Sequence, residues 1–244
     1  MNRFQDKVCV ITASATGIGL AIAEKFGKEG GKIVISSRDI KNVTAAVEKL
    51  RSQGITCEGV VCHVIKDRKK LINFALEKFG KIDILINNAA VSTYMGPITD
   101  TPEAAYDKML ETNVKAAFYL VQEALPHLKK TKGVVLFVAS IAGYNPLPLL
   151  GIYGMTKTAL ISLTKSISME VGGFGVRVNA IAPGIIRTKF AGAIVETEHA
   201  KNNSLGRVGE TSDVSGPAAF LCSDEAAFIT GETIVIAGGV QGRL

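Results

Sequence analysis

The chain has 244 residues, 47% of them hydrophobic, with 25 glycines, 7 prolines and a net charge of +6. No apolar run reaches the ~18 residues that a membrane span needs, and lysines and arginines are interleaved with acids rather than gathered into the stripe of a nucleic-acid face. Cys9, Cys57, Cys62 and Cys222 form no Cys-x-x-Cys pair and have no histidine pattern beside them, which fits free thiols in a reducing compartment and argues against a metal site.

The segment Met1 to Lys7 leads straight into a strand, which leaves no room for a signal peptide. Short β-branched runs then alternate with helical patterns. Val8–Thr12 reads as a buried strand, Gly17–Glu29 as a helix and Lys32–Ser36 as a second strand. An amphipathic helix over Asn42–Gln53 stops at Gly54, a third strand covers Cys57–His63, and a helix over Lys69–Phe79 stops at Gly80. Asp83–Asn87 gives a fourth strand, Ala104–Leu128 a long helical stretch and Gly133–Val138 a fifth strand. A helix carrying Tyr153, a sixth strand over Val176–Ile181 and a seventh over Thr233–Ile236 complete the series. Apolar strands separated by helices predict an α/β fold: a parallel, doubly wound sheet of about seven strands covered on both faces. No linker, charge block or repeat divides the chain, so residues 1–244 are expected to form one domain.

Ligands of such sheets bind beyond the carboxyl ends of the strands. The first strand runs into Thr12-Ala13-Ser14-Ala15-Thr16-Gly17-Ile18-Gly19. Small residues here let the backbone approach a pyrophosphate, and the next helix offers free N–H groups and its positive end. Gly17 and Gly19 are the close-approach positions; an ordinary strand–helix turn has the same composition. The second strand ends Ser36-Ser37-Arg38, with no acid at its tip to take a ribose 2′-hydroxyl. Arg38 and the serine hydroxyls suit a 2′-phosphate, while Asp39 is expected to face away, and this favours NADP(H) over NAD(H). The basic balance of the chain suits a phosphate-rich cofactor.

Tyr153 and Lys157 stand one helical turn apart. An ammonium beside a phenol stabilises the phenolate, so the pair is expected to lower the Tyr153 pKa and make it a proton donor. The same spacing also occurs on plain surface helices.

Taken together, these residues resemble the short-chain dehydrogenase/reductase family over the whole chain. Thr12-x-x-x-x-Gly17-Ile18-Gly19 is similar to its glycine motif, and Asn87-Asn88-Ala89-Ala90 to the motif after its fourth strand. Arg177 to Gly184, with Thr188, resembles its Pro-Gly segment. Asn113, Ser140, Tyr153 and Lys157 fall where the family places its catalytic tetrad. The resemblance implies a single-domain Rossmann fold and a cofactor site built from Ser14, Thr16, Gly17, Ile18, Gly19, Ser37, Arg38, His63, Val64, Asn88, Ala89, Lys157, Pro183, Gly184, Ile186 and Thr188. It implies that Ser140 holds a substrate carbonyl oxygen and Tyr153 protonates it. Lys157 would lower the Tyr153 pKa and bind the nicotinamide ribose, and Asn113 would position a relay water.

Three substitutions, Ala13, His63 and Ala90, depart from the family pattern; the family usually has Asp where His63 stands. With the C-terminal pattern Ile229 to Thr233 and Gly238-Gly239, they resemble a branch of the family whose members are NADP-dependent carbonyl and retinal reductases, with tropinone-reductase-like relatives. The segments after His63 and between Phe190 and Ser204 look shorter than in those relatives. The apolar run Ile141 to Leu150 carries no carboxylate or arginine, which suits aromatic ketones, α-dicarbonyls, quinone-like compounds or retinal. Alternatives are a 3-ketoacyl, steroid or tropinone-type reductase, or a non-catalytic NADP-sensing scaffold. Relatives of this pattern are usually homotetramers. The terminal Gly242-Arg243-Leu244 resembles a weakened peroxisomal signal, leaving a peroxisomal and a cytoplasmic location both open.

Overall fold

A computed structural model describes residues 2–240, apart from the side chains at 193 and 199. The terminal tripeptide 242–244 lies outside the described residues. The chain alternates as the sequence predicts: β1 (Val8–Ile11), α1 (Gly17–Lys28), β2 (Lys32–Ser37), α2 (Ile40–Ser52), β3 (Cys57–Val61), α3 (Arg68–Phe79) and β4 (Ile84–Asn87). The second half adds α4 (Glu103–Leu110), α5 (Ala116–Thr131), β5 (Val134–Val138), α6 (Gly151–Val171), β6 (Arg177–Pro183), α7 (Thr211–Cys222) and β7 (Thr233–Ile236). The seven strands are all parallel, in the order β3-β2-β1-β4-β5-β6-β7.

Strand alternation splits the core into two layers. Cys9, Ile11, Ile84, Ile86, Leu136 and Val138 face α1, α2 and α7, while Val10, Leu85, Val135 and Phe137 face α3, α5 and α6. Both faces are covered, which is why the central strands are apolar at nearly every position. Burial of this kind contributes roughly 25 cal/mol for each Å² of apolar surface removed from water. All four cysteines are free and buried within the fold.

Several boundaries follow the expected chemistry. Gly80 ends α3 in the left-handed region, at φ 74°. Gly54 stands just past α2 at φ 76°. Three features differ from the sequence reading. The stretch expected as one long helix is α4 and α5 joined by a π-helical segment, Glu111–Lys115. A π segment has no compositional mark and often accompanies a functional site. Helix α7 was not expected, because Pro217 interrupts its pattern; a capping box between Glu210 and Asp213 starts it instead. The third strand stops at Val61, because His63–Asp67 closes into a tight turn. There Lys66 and Asp67 donate their amides to the His63 carbonyl, and His63 N–H donates to Asp67 Oδ2 at 2.9 Å.

Candidate active site

The π segment, the end of β5 and the first turns of α6 bring the four expected catalytic residues together. Ser140 follows β5 and caps a 3-10 turn, Ile141–Gly143, by accepting the Ala142 amide at 3.1 Å. Its hydroxyl also lies close enough to the Tyr153 phenol to favour the phenolate. The serine therefore both caps and contacts the tyrosine. This approach depends on glycine. A Cβ on Gly143 would stand 2.8 Å from the Lys157 carbonyl carbon, and one on Gly154 would stand 2.8 Å from the Ala142 carbonyl oxygen. Without side chains at these two positions the turn lies flat on α6, and Thr158 Oγ1 fastens it by donating to the Gly143 carbonyl at 2.8 Å.

Lys157 is buried, and its ammonium donates to the Val138 carbonyl at 2.8 Å. Its Nζ lies 5.5 Å from the Tyr153 ring centroid. Burial pulls the Lys157 pKa down to about 7, since no carboxylate compensates the lost hydration. Burial also pushes the Tyr153 phenol up to about 12, against the opposing pull of the Ser140 hydroxyl. This corrects the expectation that Lys157 lowers the Tyr153 pKa. Spacing alone suggested an ion–phenol interaction, but desolvation acts on both groups and dominates each. Tyr153 is consequently held in its protonated, donor form at neutral pH.

Asn113 is completely buried in the π segment. Its Oδ1 accepts the Val91 amide at 2.8 Å, and its Nδ2 donates to the Val91 carbonyl at 2.9 Å and to Thr156 Oγ1 at 3.0 Å. Thr156 Oγ1 in turn donates to the Tyr153 carbonyl at 2.7 Å. The Asn113 amide thus ties the segment after β4 to the first turn of α6 and steadies the backbone that carries Tyr153. Sequence reading missed Gly143, Gly154, Thr156 and Thr158; a run of small residues around Tyr153 was the available signal.

The expected cofactor residues gather along the same edge of the sheet. Helix α1 begins after Thr16 with no side-chain cap and no acid in its first turn, so its amides and positive end are open to an anion. Gly17 sits at φ 59°, and a Cβ there would stand 3.4 Å from Thr188 Cγ2. That proximity brings the segment after β6 over the glycine turn. Gly19 has no room for a side chain, with Asn88 Nδ2 at 2.6 Å from such a Cβ and Ser14 Cα at 2.8 Å. These donors and the bare backbone fit a pyrophosphate.

Some expected ligands act from behind. Ser14 is buried, donates to the Ile11 carbonyl at 2.7 Å and accepts the Ser36 amide at 3.0 Å, so its hydroxyl joins β1 to β2. Asn88 Nδ2 donates to the carbonyls of Thr12 and Ala13 at 2.9 and 3.0 Å. Thr12 Oγ1 accepts the amides of Asn88 and Ala89 at 2.9 and 3.0 Å. These bonds hold Ala13 in the left-handed region, at φ 49°, which the alanine methyl disfavours. Ile18 packs on the core, and Val64 and Ile186 are buried. Pro183 ends β6, and Gly184 follows it against Ala237, whose Cβ would stand 3.0 Å from a Gly184 Cβ.

At the tip of β2, Ser37 pairs with Val61 of β3, and Arg38 is exposed. Asp39 caps α2, its Oδ1 accepting the Lys41 amide at 2.7 Å. His63 stands beside this tip at the end of β3, because Cys62 donates its amide to the Ser37 carbonyl at 2.9 Å. Beyond Tyr153, the Phe190 ring lies 6.0 Å away, centroid to centroid, and is exposed.

A family model described as enoyl-(acyl carrier protein) reductase matches residues 12–241. Tropinone reductase-like 3 of Erythroxylum coca is 49% identical over 250 residues, covering 100% of this chain and 96% of that protein. Dehydrogenase/reductase SDR family member 4 of Bos taurus is 43% identical over 252 residues, covering 100% of this chain and 90% of that protein. A solved short-chain type dehydrogenase/reductase from Mycobacterium ulcerans superposes with a TM-score of 0.93 at 30% identity, over 97% of this chain and 90% of that one. With the sheet order, the glycine turn and the Ser140, Tyr153 and Lys157 cluster, these likenesses make the chain a member of the short-chain dehydrogenase/reductase family, oxidoreductases that work with nicotinamide cofactors.

Proposed function

We propose that this protein reduces apolar carbonyl compounds with NADPH. The observation that carries the reading is the Ser140 hydroxyl set against the half-buried Tyr153 phenol, with the buried Lys157 ammonium 5.5 Å from the tyrosine ring. Bound along the strand tips, NADPH supplies the hydride. Ser140 then holds the carbonyl oxygen and steadies the charge that develops on it. Tyr153, kept protonated by its burial, donates its proton to that oxygen. Lys157 is the neighbouring titratable group, with a pKa of about 7 that lets it take up or release a proton at neutral pH. Asn113 acts by fixing the backbone of Tyr153, because its amide is already engaged by Val91 and Thr156. Any relay water at Asn113 is therefore held by its backbone rather than by its side chain.

Arg38, with Asp39 committed to the α2 cap, supports NADP(H) over NAD(H). The segment from Ile141 to Leu150 and the exposed Phe190 ring support an apolar, aromatic substrate such as an aryl ketone, an α-dicarbonyl, a quinone or retinal. Assembly as a homotetramer is part of the same reading; the exposed aromatic pair Phe118 and Tyr119 on α5 offers a face that a second copy would cover. A peroxisomal or cytoplasmic site of action follows the terminal Gly242-Arg243-Leu244 and is tested with a fluorescent fusion lacking those residues.

A substrate panel run with NADPH and with NADH tests the proposal. Aryl ketones and α-dicarbonyls are expected to turn over with NADPH and poorly with NADH. The matched family model carries the description of an enoyl reductase, so the panel includes an enoyl thioester and a 3-ketoacyl thioester. Turnover of a thioester with the aromatic carbonyls ignored would replace this reading. Binding of NADPH without turnover of any compound would favour a sensing scaffold.

A further inference from the structure

The loop that carries Phe190 runs from the end of β6 to the start of α7, and its two stems are paired. Arg187 donates its amide to the Gly209 carbonyl at 2.8 Å, and Gly209 donates its own to the Ile185 carbonyl at 3.0 Å. Inside the loop Val195, Ala200 and Val208 are buried together, with Ile185, Ala191 and Ile194 against them. This small core is separate from the two layers that cover the sheet. A loop with joined ends and its own packed interior keeps its shape, and edge contacts then decide where it lies.

Arg187 makes such a contact on both sides. Its Nη1 donates to Glu196 Oε1 at 3.1 Å and its Nε to Glu210 Oε1 at 3.0 Å. Glu196 ends the 3-10 turn Gly192–Glu196 inside the loop. Glu210 stands outside it, as the N-cap of α7, and its box partner Asp213 is gripped by Arg207 at 2.6 and 2.9 Å. One guanidinium therefore ties the first half of the loop to a fixed helix end. The planar fork of an arginine can serve two carboxylates at once, which a single ammonium does less well.

Phe190 lies between the two anchor points of this clasp. Its ring is 6.0 Å from that of Tyr153, at an interplanar angle of 42°. It is 57% exposed, so core packing does not fix its place. The backbone on either side does: Thr188 Oγ1 accepts the Ala191 amide at 3.3 Å, and Arg187 holds Glu196 beyond it. Both ion pairs are open to solvent, so the clasp is weak and sensitive to salt.

We propose that Arg187 is a positioning residue for substrate: by bridging Glu196 and Glu210 it holds Phe190 beside the Tyr153 phenol. It acts on substrate binding through Phe190 and touches none of the reacting atoms. This inference rests on the carbonyl reductase reading above and deepens it.

The chain has no tryptophan, so Phe190→Trp puts a single fluorophore on the loop and reads its position without turnover. In that background Arg187→Gln and Glu196→Gln should each shift the emission to the red and raise acrylamide quenching about twofold. Sodium chloride at about 0.5 M should do the same to the parent and add nothing to Arg187→Gln. With Phe190 kept, each single variant should raise KM for an aryl α-diketone about 2–5-fold with kcat within twofold, and the double variant should match the singles. Arg187→Lys should fall between Arg187→Gln and wild type. Unchanged quenching and KM in both single variants would overturn the proposal, as would fully additive effects in the double variant. A fall in kcat and melting temperature with KM unchanged would also overturn it, by making Arg187 a residue of general stability. Quenching that responds as expected in a protein that reduces no carbonyl would instead overturn the reductase reading and leave the clasp standing.

Discussion

The two ends of the ligand-bearing edge treat charge in opposite ways. Beside the tip of β5, Lys157 is buried and Tyr153 half-buried, and desolvation moves both towards their neutral forms. At the tip of β2, Arg38 is exposed and makes no ion pair among the described residues. The difference follows from the tasks. Proton transfer needs controlled proton affinities, which burial supplies. Recognition of a phosphate needs accessible charge with no competing partner, which burial would remove.

The largest effect is expected at the buried end. Tyr153→Phe removes the proton donor while leaving the ring in place, so carbonyl reduction should fall about 10²–10⁴-fold. Cofactor affinity, governed by the other end, should stay within twofold by titration. Loss of both together would show that the two ends are not separable. The raised Tyr153 pKa gives a second large effect. Alcohol oxidation needs the phenolate, whereas reduction needs the phenol. Oxidation at saturating substrate should therefore climb roughly tenfold for each pH unit between pH 7 and 9, while reduction stays nearly flat. A flat oxidation profile would mean that Tyr153 already ionises near neutrality, against its burial.

Gly143→Ala tests what brings Ser140 to Tyr153. Its new Cβ meets the Lys157 carbonyl carbon at 2.8 Å, which is backbone and has little freedom to yield. Overpacking of this kind costs about 1–3 kcal/mol, and displacing the turn should lower turnover roughly 10–100-fold. Fragments that carry only the adenosine end of the cofactor should still bind, because β1 and β2 are separated from β5 by β4 in the sheet.

Much of this division was legible in the sequence. The strands of a sheet covered on both faces are nearly continuous apolar runs, so all seven could be located. Thr233–Ile236 was placed to the residue. Arg38 was readable because its meaning depends on one strand end. The Tyr153 pKa was misjudged. Spacing tells that Lys157 is near, but only packing tells that both groups have lost their water. Helix α7 and the π segment escaped because a helix-breaking proline hides the first and nothing in composition marks the second.

A smaller effect is expected from Lys157→Met, which keeps the bulk and removes the buried charge. The sign of its pH dependence is fixed. Lys157 titrates near pH 7 when folded and near the ordinary ~10.4 when unfolded, so the unfolded chain binds more protons between those values. Its destabilising contribution is therefore full below about pH 7 and fades as pH rises towards about 10. Losing the bond to the Val138 carbonyl offsets part of the gain. The variant should be more stable than wild type by roughly 1–3 kcal/mol at pH 6, with the gap closing by pH 9.5 in thermal melts. An unchanging gap would mean that Lys157 keeps its proton when buried.

The smallest effect concerns the turn that joins the two ends. Ala13 is exposed and sits at φ 49°, so its methyl packs little while its backbone conformation is disfavoured by about 1–2 kcal/mol. Glycine removes that cost but adds about 0.4–1 kcal/mol of unfolded-state entropy. Ala13→Gly should therefore stabilise the protein by no more than about 1 kcal/mol, visible as a rise of a few degrees in the melting temperature. The fold of the turn is set by Asn88 Nδ2, which grips the carbonyls of Thr12 and Ala13, and not by the identity of residue 13. Cofactor affinity should accordingly stay within twofold in Ala13→Gly and fall in Asn88→Ala. If Ala13→Gly instead loosens cofactor binding, the alanine itself stiffens the turn, and the strain is part of how the site is held ready.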